Sequence, residues 1–379
     1  MNIITIDFET YYAKDYGLGK MTTEEYIRDP RFEVIGVAVK VDGSDPVWFS
    51  GTKEKTKAFL DQFDWANSVA IAHNAVFDMA ILNWHFDIRP KRIVDTLSMA
   101  RALHTIEVGG SLAALADYYT IGQKGTEVLN ALGKRRIDFD AEALARYGDY
   151  CLNDVEITRE LFDILAEGFP LVEFKLIDLT IRMFTEPKLV LDSDKLNVYL
   201  ADIRESKAKF LDRFDKDDLM SNPRFADLLR ALHIEPPMKI SPTTGKETYA
   251  FSKTDEDFKA LLEHDNPDVQ TLIAARLGVK STIEETRTER FLEISKRGTL
   301  PIPLRYYAAH TGRWGGDDKV NMQNLPRSSV LKYSICVPDG YWMIDSDSSQ
   351  IEARTLAWLA EQNDLVEAFE NGQDVYKIM

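Results

Sequence analysis

Acidic residues stand in short motifs at three places in the first half of the chain. Asp7 and Glu9 lie two positions apart at the end of an apolar run that predicts a strand. Since side chains at i and i+2 of a strand point to the same face, both carboxylates are expected to project together. An Asp-x-Glu pair alone is weak evidence, because such pairs arise by chance in a chain of 379 residues.

The second and third motifs are HNAVFD and YCLNDVE. A strand is predicted to run into Asn74, so that Asp78 falls in the first turns of the following helix. Tyr150 and Asp154 are four residues apart on a predicted helix and therefore share a face. Each also has a simple structural interpretation: Asp78 as an acid that stabilises a helix N-terminus, Tyr150 as core and Asp154 as a surface acid.

Taken together, these segments offer four carboxylates, from Asp7, Glu9, Asp78 and Asp154. Hard oxygen ligands of this kind suit Mg²⁺ or Mn²⁺. Two such ions, about 4 Å apart, stabilise the attacking and leaving oxygens when a phosphodiester is displaced. Without a cation, four converging carboxylates would repel one another strongly. The pattern therefore indicates metal-assisted phosphodiester chemistry.

An alternation of strands and helices is predicted to position these motifs. Runs rich in Val, Ile and Phe predict strands, with helical segments between them. That order indicates an α/β layer domain with one central sheet. The predicted strands are 3–8, 32–41 and 69–73, and the predicted helices are 54–63, 76–86, 111–119 and 141–166.

The pattern changes after residue 170. Apolar residues recur at helical spacing over 192–220, which predicts one long amphipathic helix. Residues 235–254 are rich in Pro, Gly, Ser and Thr and predict a loop, and helices resume over 255–297. Residues 331–345 turn at Pro-Asp-Gly and predict a β-hairpin.

Ser349, followed by Glu352 three residues later, predicts a capping box that opens a helix through Leu359. Domain boundaries are placed near residues 170 and 300.

Composition restricts the classes of protein that remain. The net charge of −16 argues against a protein that coats nucleic acid, yet residues 275–335 hold 11 basic and 6 acidic side chains. That basic segment is either a phosphate-contacting surface or a mixed solvated face. The two cysteines, Cys151 and Cys336, cannot form a disulfide framework. No signal peptide or membrane-spanning run is evident, so a cytoplasmic protein is expected.

The motifs DFET, HNAVFD and YCLNDVE, in this order, resemble the DEDD-type 3′–5′ exonuclease domain of family A DNA polymerases over about residues 1–170. The resemblance implies a ribonuclease H-like fold. It also implies two Mg²⁺ or Mn²⁺ ions, held by Asp7, Glu9, Asp78 and Asp154.

The same resemblance implies further roles near these ligands. Glu9 would also contact the 3′-terminal nucleotide, and Tyr150 would orient the attacking water. Asn74 matches a polar position of the second motif and is a candidate nucleotide contact. Asp95 matches a recurrent Asp-Thr pair that is structural and not a ligand.

Residues 305–327 and 344–359 resemble the start of the family A polymerase palm, with TGR…QNLP followed by DSSQIE. The resemblance implies that Asp347 is the first of two metal-binding aspartates for nucleotidyl transfer and that the Ser348 carbonyl is an adjacent ligand. It also implies DNA or nucleotide contacts from Arg313, Gln323, Asn324, Gln350, Ile351 and Glu352. The stretch before Gln323 is longer than the usual pattern, which leaves the register of Arg327 open.

Three regions follow from the resemblance: an exonuclease domain over 1–170, a mainly helical thumb-like region over 171–300, and the N-terminal part of an α+β palm over 301–379. The expected function is DNA replication by a phage-type polymerase with proofreading. The fingers and the second catalytic acid have no counterpart in the sequence. Nucleotidyl transfer is therefore expected to need a second polypeptide or a missing C-terminal part.

DNA is the expected partner, both as a single-stranded 3′ end and as a primer-template. Two alternatives remain at this point. One is a stand-alone 3′–5′ exonuclease whose palm segment only binds DNA. The other is a non-catalytic DNA-binding module derived from a polymerase.

Overall fold

A computed structural model describes residues 1–104, 107–125, 130–241, 245–278, 282–325 and 328–375. It divides the chain into two compact units, Met1–Pro338 and Asp339–Met379. Among the described residues, no helix has both the length and the apolar character needed to cross a bilayer.

A five-stranded sheet forms the centre of the first unit. Its strands are β1 (Ile3–Thr10), β2 (Val34–Val41), β3 (Val47–Phe49), β4 (Val69–Ala72) and β5 (Arg92–Asp95). The order is β3-β2-β1-β4-β5, with β1 antiparallel to β2 and parallel to β4. The predicted central sheet is confirmed; the short β3 and β5 were not predicted.

Helices cover this sheet and complete the first core. They are α1 (Thr23–Arg28), α2 (Lys53–Leu60), α3 (Ala75–Phe86), α4 (Thr96–His104), α5 (Leu112–Tyr119), α6 (Ala141–Leu165) and α7 (Leu171–Thr185). The 25-residue helix α6 packs along β1 and β2, and Asp140 caps it by accepting a hydrogen bond from the Ala143 N–H at 2.7 Å. Helix α7 packs on β5 and α3, so the first core continues to Phe184, beyond the predicted boundary near 170.

Two glycines let α6 approach the sheet closely. The indole of Trp48 lies against Gly36 of β2 and Gly148 of α6. A Cβ built on Gly36 would lie 2.1 Å from the indole, and one on Gly148 would lie 2.7 Å from it. Neither position has room for a side chain, which is the usual reason for glycine at a close backbone approach. The face of α6 that carries Tyr150 and Asp154 is thereby held against β1.

Further helices and short strands follow along the rest of the first unit. They are β6 (Val190–Leu191), α8 (Ser193–Leu211), α9 (Lys216–Met220), α10 (Asn222–Ala231), β7 (Met238–Ile240), β8 (Glu247–Tyr249), α11 (Glu256–Ala260), α12 (Pro267–Leu277), α13 (Ile283–Arg297), β9 (Leu304–Arg305), β10 (Gly315–Gly316), α14 (Val330–Tyr333) and β11 (Ile335–Cys336).

Two predictions for this region were wrong. The single helix predicted over 192–220 is two helices, because Asp215 and Asp218 form a capping box that starts α9 anew. The loop predicted over 235–254 contains a hairpin in which Met238 of β7 pairs with Tyr249 of β8. A Lys239–Asp255 ion pair with an N–O distance of 2.6 Å ties β7 to the segment that precedes α11.

The hairpin predicted over 331–345 was also wrong. Its first half contains the end of α14 and β11, and β11 pairs with the distant strand β6. In the second unit, residues 341–345 form no strand. Its helices are α15 (Ile351–Leu359) and α16 (Asn363–Glu370). The N-cap of α15 is Gln350, which makes no side-chain capping bond, so the predicted Ser349–Glu352 capping box is absent at this described helix start.

Candidate active site

Asp7 and Glu9 lie two residues apart on β1 and face helix α6, as the period of a strand requires. The phenol of Tyr147 donates a hydrogen bond to Glu9 Oε2 at 2.5 Å. The thiol of Cys151 donates to Asp7 Oδ2 at 3.2 Å. Potential ligand atoms of Asp7, Glu9 and Cys151 all lie within 4.8 Å of one another. One helix therefore fixes both carboxylates of the first motif.

Asp78 lies in the first turn of α3 and is almost fully buried. Its Oδ1 accepts a hydrogen bond from the Phe8 N–H at 3.1 Å, which ties it to the backbone between Asp7 and Glu9. Burial raises the pKa of the Asp78 carboxyl well above its usual value, and the charge of Asp7 raises it further. Asp78 is thus part of the same electrostatic cluster.

Asp154 completes the group from α6. Its Oδ2 accepts from the ammonium of Lys124, and its Oδ1 is buried with no hydrogen-bond partner among the described residues. Tyr150 lies one turn earlier on α6, and the ammonium of Lys124 lies 5.0 Å from the centre of its ring. A buried carboxylate oxygen without a partner is costly, so Asp154 has an oxygen available for a cation.

The carboxylates destabilise one another in their charged forms. Burial, followed by the charge of Asp154, raises the pKa of Asp7 to about 6. Burial and Asp7 likewise raise the pKa of Glu9 well above its usual value. Perturbed carboxyl groups clustered in this way are typical of functional sites.

This donor set fits divalent metal ions. Four carboxylates supply hard oxygen ligands, mutual repulsion favours a compensating cation, and Asp154 Oδ1 has no competing partner among the described residues. Burial and the charge of Asp7 raise the pKa of the Cys151 thiol well above its usual value. We therefore assign the oxygens as the ligands and the thiol as a donor that positions Asp7.

The raised carboxyl pKa values predict how the metal-free protein responds to pH. A carboxyl whose folded pKa exceeds its unfolded pKa stabilises the fold at low pH, and this contribution is lost as pH rises through the folded value. For Asp7, raised from 3.8 to about 6, the loss amounts to about 3 kcal/mol. We expect the unfolding temperature in EDTA to fall between about pH 4 and 7, and Mg²⁺ to restore more of it at the higher pH.

Asp7→Asn is the matched variant, since it keeps the shape of the side chain and removes its titration. Thermal unfolding of both proteins in EDTA over this pH range measures the difference. Equal pH dependence in the wild type and in Asp7→Asn would contradict the assignment of a raised Asp7 pKa.

Three residues of the site were not predicted from the sequence. Tyr147 and Cys151 were detectable, because positions 147, 150, 151 and 154 follow helical spacing and share one face of α6. Lys124 gave no such signal. It comes from an irregular segment 30 residues away from Asp154 in sequence, and only the fold brings it there.

Asn74 and Asp95 lie beside this cluster. Asn74 is the N-cap of α3 with a φ of 70°, and its backbone N–H donates to Asp95 Oδ1 at 2.8 Å. Asp95 also accepts from the N–H groups of Ala75 and Ser98. With its oxygens occupied by the backbone, Asp95 holds the turn that begins α3, which agrees with the structural role that the resemblance implied.

The palm-like residues of the first unit lie at a separate place. The carbonyl of Arg313 accepts a hydrogen bond from the Ala308 N–H at 2.9 Å and so closes a turn. Gln323 and Asn324 belong to a short 3₁₀ helix, and the Gln323 amide donates to the Trp314 carbonyl at 3.1 Å. Their contacts with DNA stay predictions. Arg327 lies outside the described residues.

In the second unit, Asp347 and Ser348 are exposed on backbone without regular structure. Gln350 adopts a left-handed φ of 54° before α15. Ile351 and Glu352 are exposed in the first turn of that helix. None of the described residues of this unit fixes the Asp347 carboxylate as the sheet and α6 fix Asp7.

Family comparisons match both halves of the chain. Residues 47–169 match the family described as 3′–5′ exonuclease, and residues 195–379 match DNA polymerase family A. The exonuclease match contains Asp78, Tyr150 and Asp154, and the polymerase match contains Asp347. These family matches agree with the order of motifs in the sequence.

Individual relatives are more distant. A DNA polymerase of Bacillus phage SP02 is 22% identical over 440 residues, a match that covers 100% of this chain and 64% of the phage protein. DNA polymerase I of Pseudomonas aeruginosa is 24% identical over 265 residues, covering 65% of this chain and 28% of that protein. The chain therefore spans less than two thirds of either protein.

A solved structure shares the fold. It is the POL domain of Pol1 from M. smegmatis in complex with DNA primer-template and dNTP, with a TM-score of 0.57 and 17% sequence identity. The match covers 98% of this chain and 61% of that chain.

Proposed function

From the premise that this chain belongs to DNA polymerase family A and carries a 3′–5′ exonuclease domain, we propose that it removes nucleotides from the 3′ end of DNA at the site of Asp7, Glu9, Asp78 and Asp154. The observation that carries this proposal is the convergence of four carboxylates from β1, α3 and α6 in one largely buried cluster. Two Mg²⁺ or Mn²⁺ ions held there would stabilise the attacking and leaving oxygens of the phosphodiester.

The chain's own residues hold these carboxylates in place. Tyr147 and Cys151 donate to Glu9 and Asp7 from α6, and the Phe8 N–H donates to Asp78. Each donor restricts the rotation of a carboxylate that must keep one orientation during the reaction. Such preorganisation removes the need to reorder the ligands when substrate arrives.

Tyr150 contributes hydrogen bonding without charge. Burial, with the charges of Asp154 and Glu9, raises the pKa of its phenol above the usual value, so the group stays protonated at neutral pH. A phenol in this state can hold a water molecule by hydrogen bond but is a poor base. We assign Tyr150 to orienting the attacking water.

The direct test is hydrolysis of single-stranded DNA labelled at its 5′ end. We expect the protein to release nucleoside monophosphates from the 3′ end with Mg²⁺ or Mn²⁺ and to release none in EDTA. Frayed or single-stranded ends should be preferred over paired ones, because a paired terminus must first unstack at a cost of a few kcal/mol. Cleavage from the 5′ end or within the strand would contradict the proposal.

Tyr147→Phe tests the positioning of Glu9. This variant keeps the aromatic packing against Phe139, whose ring centre lies 5.5 Å away, and removes only the hydrogen bond to Glu9. Loss of a partner that orients a metal ligand costs about 10- to 100-fold in metal affinity or activity. We expect a higher Mn²⁺ concentration for half-maximal exonuclease activity.

Phe139→Leu is the control for Tyr147→Phe, because it perturbs the same stack and leaves the hydrogen bond in place. If both variants shift the metal dependence equally, the hydrogen bond to Glu9 is not the cause.

For residues 195–379, we infer a part in template-directed DNA synthesis, with Asp347 as a metal ligand and with Arg313, Gln323 and Asn324 near the primer end. The family match over these residues supports this. A two-ion site also needs a second acidic ligand held at a fixed distance. We propose that a polypeptide outside residues 1–379, either more of the same chain or a second one, supplies it.

A further inference from the structure

A cleft of about 490 Å³ opens between α4 and the turn that follows β9. Arg101 of α4, with Gly109 and Gly110, lines one wall. Arg305 and the turn from Tyr307 to His310 line the other. No carboxylate belongs to the described lining of this cleft, although the whole chain has a net charge of −16.

Arg101 is the distinctive charge in this cleft. Within the part of the chain that the structure describes, its guanidinium forms neither a hydrogen bond nor an ion pair. Burial lowers the pKa of Arg101. The negative charges of Asp95 and Asp317 act in the opposite direction, and the positive charge of Arg305 lowers the pKa further. The Asp95 oxygens already accept from backbone N–H groups, so they are not free to pair with Arg101.

Arg305 on the opposite wall is weakly held. Its Nε lies 3.7 Å from Asp317 Oδ2, and both side chains are about half exposed. An exposed pair at this distance contributes little, so either partner can be exchanged at small cost. The cleft is thus lined by two arginines. Arg101 has no ion-pair partner among the described residues, and Arg305 has a weak one. Together they form a candidate binding site for an anion with two charged groups.

The cleft adjoins a second space at the turn that begins α3, the helix that carries Asp78. This smaller cavity of about 230 Å³ shares Arg101 and Arg305 with the cleft, and its lining also includes Asn74, Phe77, Asp95, Asp317 and Asp318. Phe77 directly precedes the metal-ligand candidate Asp78. The two arginines and the N-terminal turn of α3, which precedes Asp78, therefore line connected spaces.

A constrained aromatic side chain, Tyr307, also lines the cleft. Tyr307 has a left-handed φ of 50°, and a Cβ on Gly312 would lie 3.0 Å from its ring. Hydrogen bonds from Ala308 and Ala309 to the Arg313 carbonyl hold this turn. Strained backbone of this kind is found at binding sites, and an aromatic face beside arginines suits the bases of a single strand.

We propose that Arg101 and Arg305 bind neighbouring phosphates of the single DNA strand whose 3′ end lies at the carboxylate site. This inference rests on the proposed exonuclease function, because it places the rest of the substrate strand relative to that site. The arginines select a strand by charge and not by sequence, as an editing enzyme requires. They do not touch the reacting phosphodiester, so they act on affinity for long substrates.

The first test measures binding without cleavage. Fluorescence anisotropy in EDTA would follow a labelled oligo(dT) of about 20 nucleotides, longer than a typical single-strand site. We expect Arg101→Ala/Arg305→Ala to weaken binding about tenfold. We also expect a smaller salt slope, meaning the steepness with which the logarithm of the binding constant falls with the logarithm of salt concentration. The reduction should be about 1.4, since each phosphate contact on a single strand contributes about 0.7. Arg89→Ala removes an exposed arginine outside the cleft and should leave both quantities unchanged.

A second test separates this inference from the exonuclease proposal. Hydrolysis of a dinucleotide should be unchanged in the double variant, whereas KM for the long oligonucleotide should rise with kcat unchanged. Equal losses on both substrates, or wild-type affinity and salt slope in the double variant, would overturn the strand path. A wild type that binds the oligonucleotide through these arginines but cleaves nothing would overturn the exonuclease proposal alone.

Folding of the variants is controlled separately. Arg305→Ala alone changes an exposed residue, and it should lower the salt slope by about 0.7 with no change in unfolding temperature. Arg101→Lys/Arg305→Lys keeps both charges and should retain most of the salt slope. A lysine double variant that behaves like the alanine one would show that charge is not what the cleft supplies.

Discussion

Replacing both Asp7 and Glu9 with alanine is expected to reduce 3′–5′ exonuclease activity to below about one-thousandth of the wild-type rate. The two residues would supply half of the carboxylates that hold the metal ions, and transition-state stabilisation of several kcal/mol depends on those ions. Single-turnover release of nucleoside monophosphates from single-stranded DNA measures the effect.

The same double variant should be at least as stable as the wild type. Burial and mutual repulsion raise the pKa of both carboxyls, which means that their charged forms oppose folding at neutral pH. Activity and unfolding temperature should therefore change in opposite directions. This distinguishes loss of a functional site from loss of the fold.

Two comparisons complete this first experiment. Asp7→Asn/Glu9→Gln keeps the side-chain shapes and should be as inactive as the alanine variant, because charged oxygens are what the ions require. Asp45→Ala removes an exposed acid from the same domain and should be fully active. Persistent cleavage in either Asp7/Glu9 double variant would remove these residues from the active site.

The second large effect concerns DNA synthesis. A protein of residues 1–379 is expected to add no detectable nucleotide to a primed template, although it holds all four proposed exonuclease carboxylates. Asp347 is exposed on irregular backbone within the second unit, and a two-ion site needs acidic ligands held at fixed positions. Without a firmly held pair of metal ions, the transition state loses electrostatic stabilisation. The barrier then rises by several kcal/mol, which takes the rate below detection.

Supplying the remaining polymerase part, as further chain or as a separate polypeptide, should restore primer extension. In the restored protein, Asp347→Ala should abolish synthesis and leave the exonuclease unchanged. Asp345→Ala, two residues earlier in the same segment, is the matched control. Robust extension by residues 1–379 alone would show that a second acidic ligand is already present, and extension that survives Asp347→Ala would remove that residue from the site.

Short-range patterns in the sequence placed the candidate carboxylates on the strand and helices that carry them. Asp7 and Glu9 follow the period of a strand, and Tyr150 and Asp154 follow the period of a helix, so each pair could be placed on one face without coordinates. The convergence of separate segments came from the resemblance to a known domain and not from periodicity. The central sheet was predictable for the same local reasons, since its long strands are continuous apolar runs.

Local patterns failed where the partner is distant in the chain. Residues 331–345 have the composition of a hairpin, yet β11 pairs with β6 from about 145 residues earlier, so pairing with that strand replaced the local turn. The second helix of the 192–220 segment begins anew because two aspartates cap it. The first competing interaction is distant in the chain, whereas the second is a local cap that the spacing of apolar residues does not reveal.

The sequence by itself identified the candidate carboxylates and the elements on which they lie. Only the tertiary structure decided what holds them and what lies around them. Helical spacing places Tyr147 on the same face of α6 as Tyr150 and Asp154, but only the packing of α6 on β1 shows that its phenol donates to Glu9. Lys124 and Arg101 gave no sequence signal, because the charge of a side chain depends on its type but its partners depend on the fold.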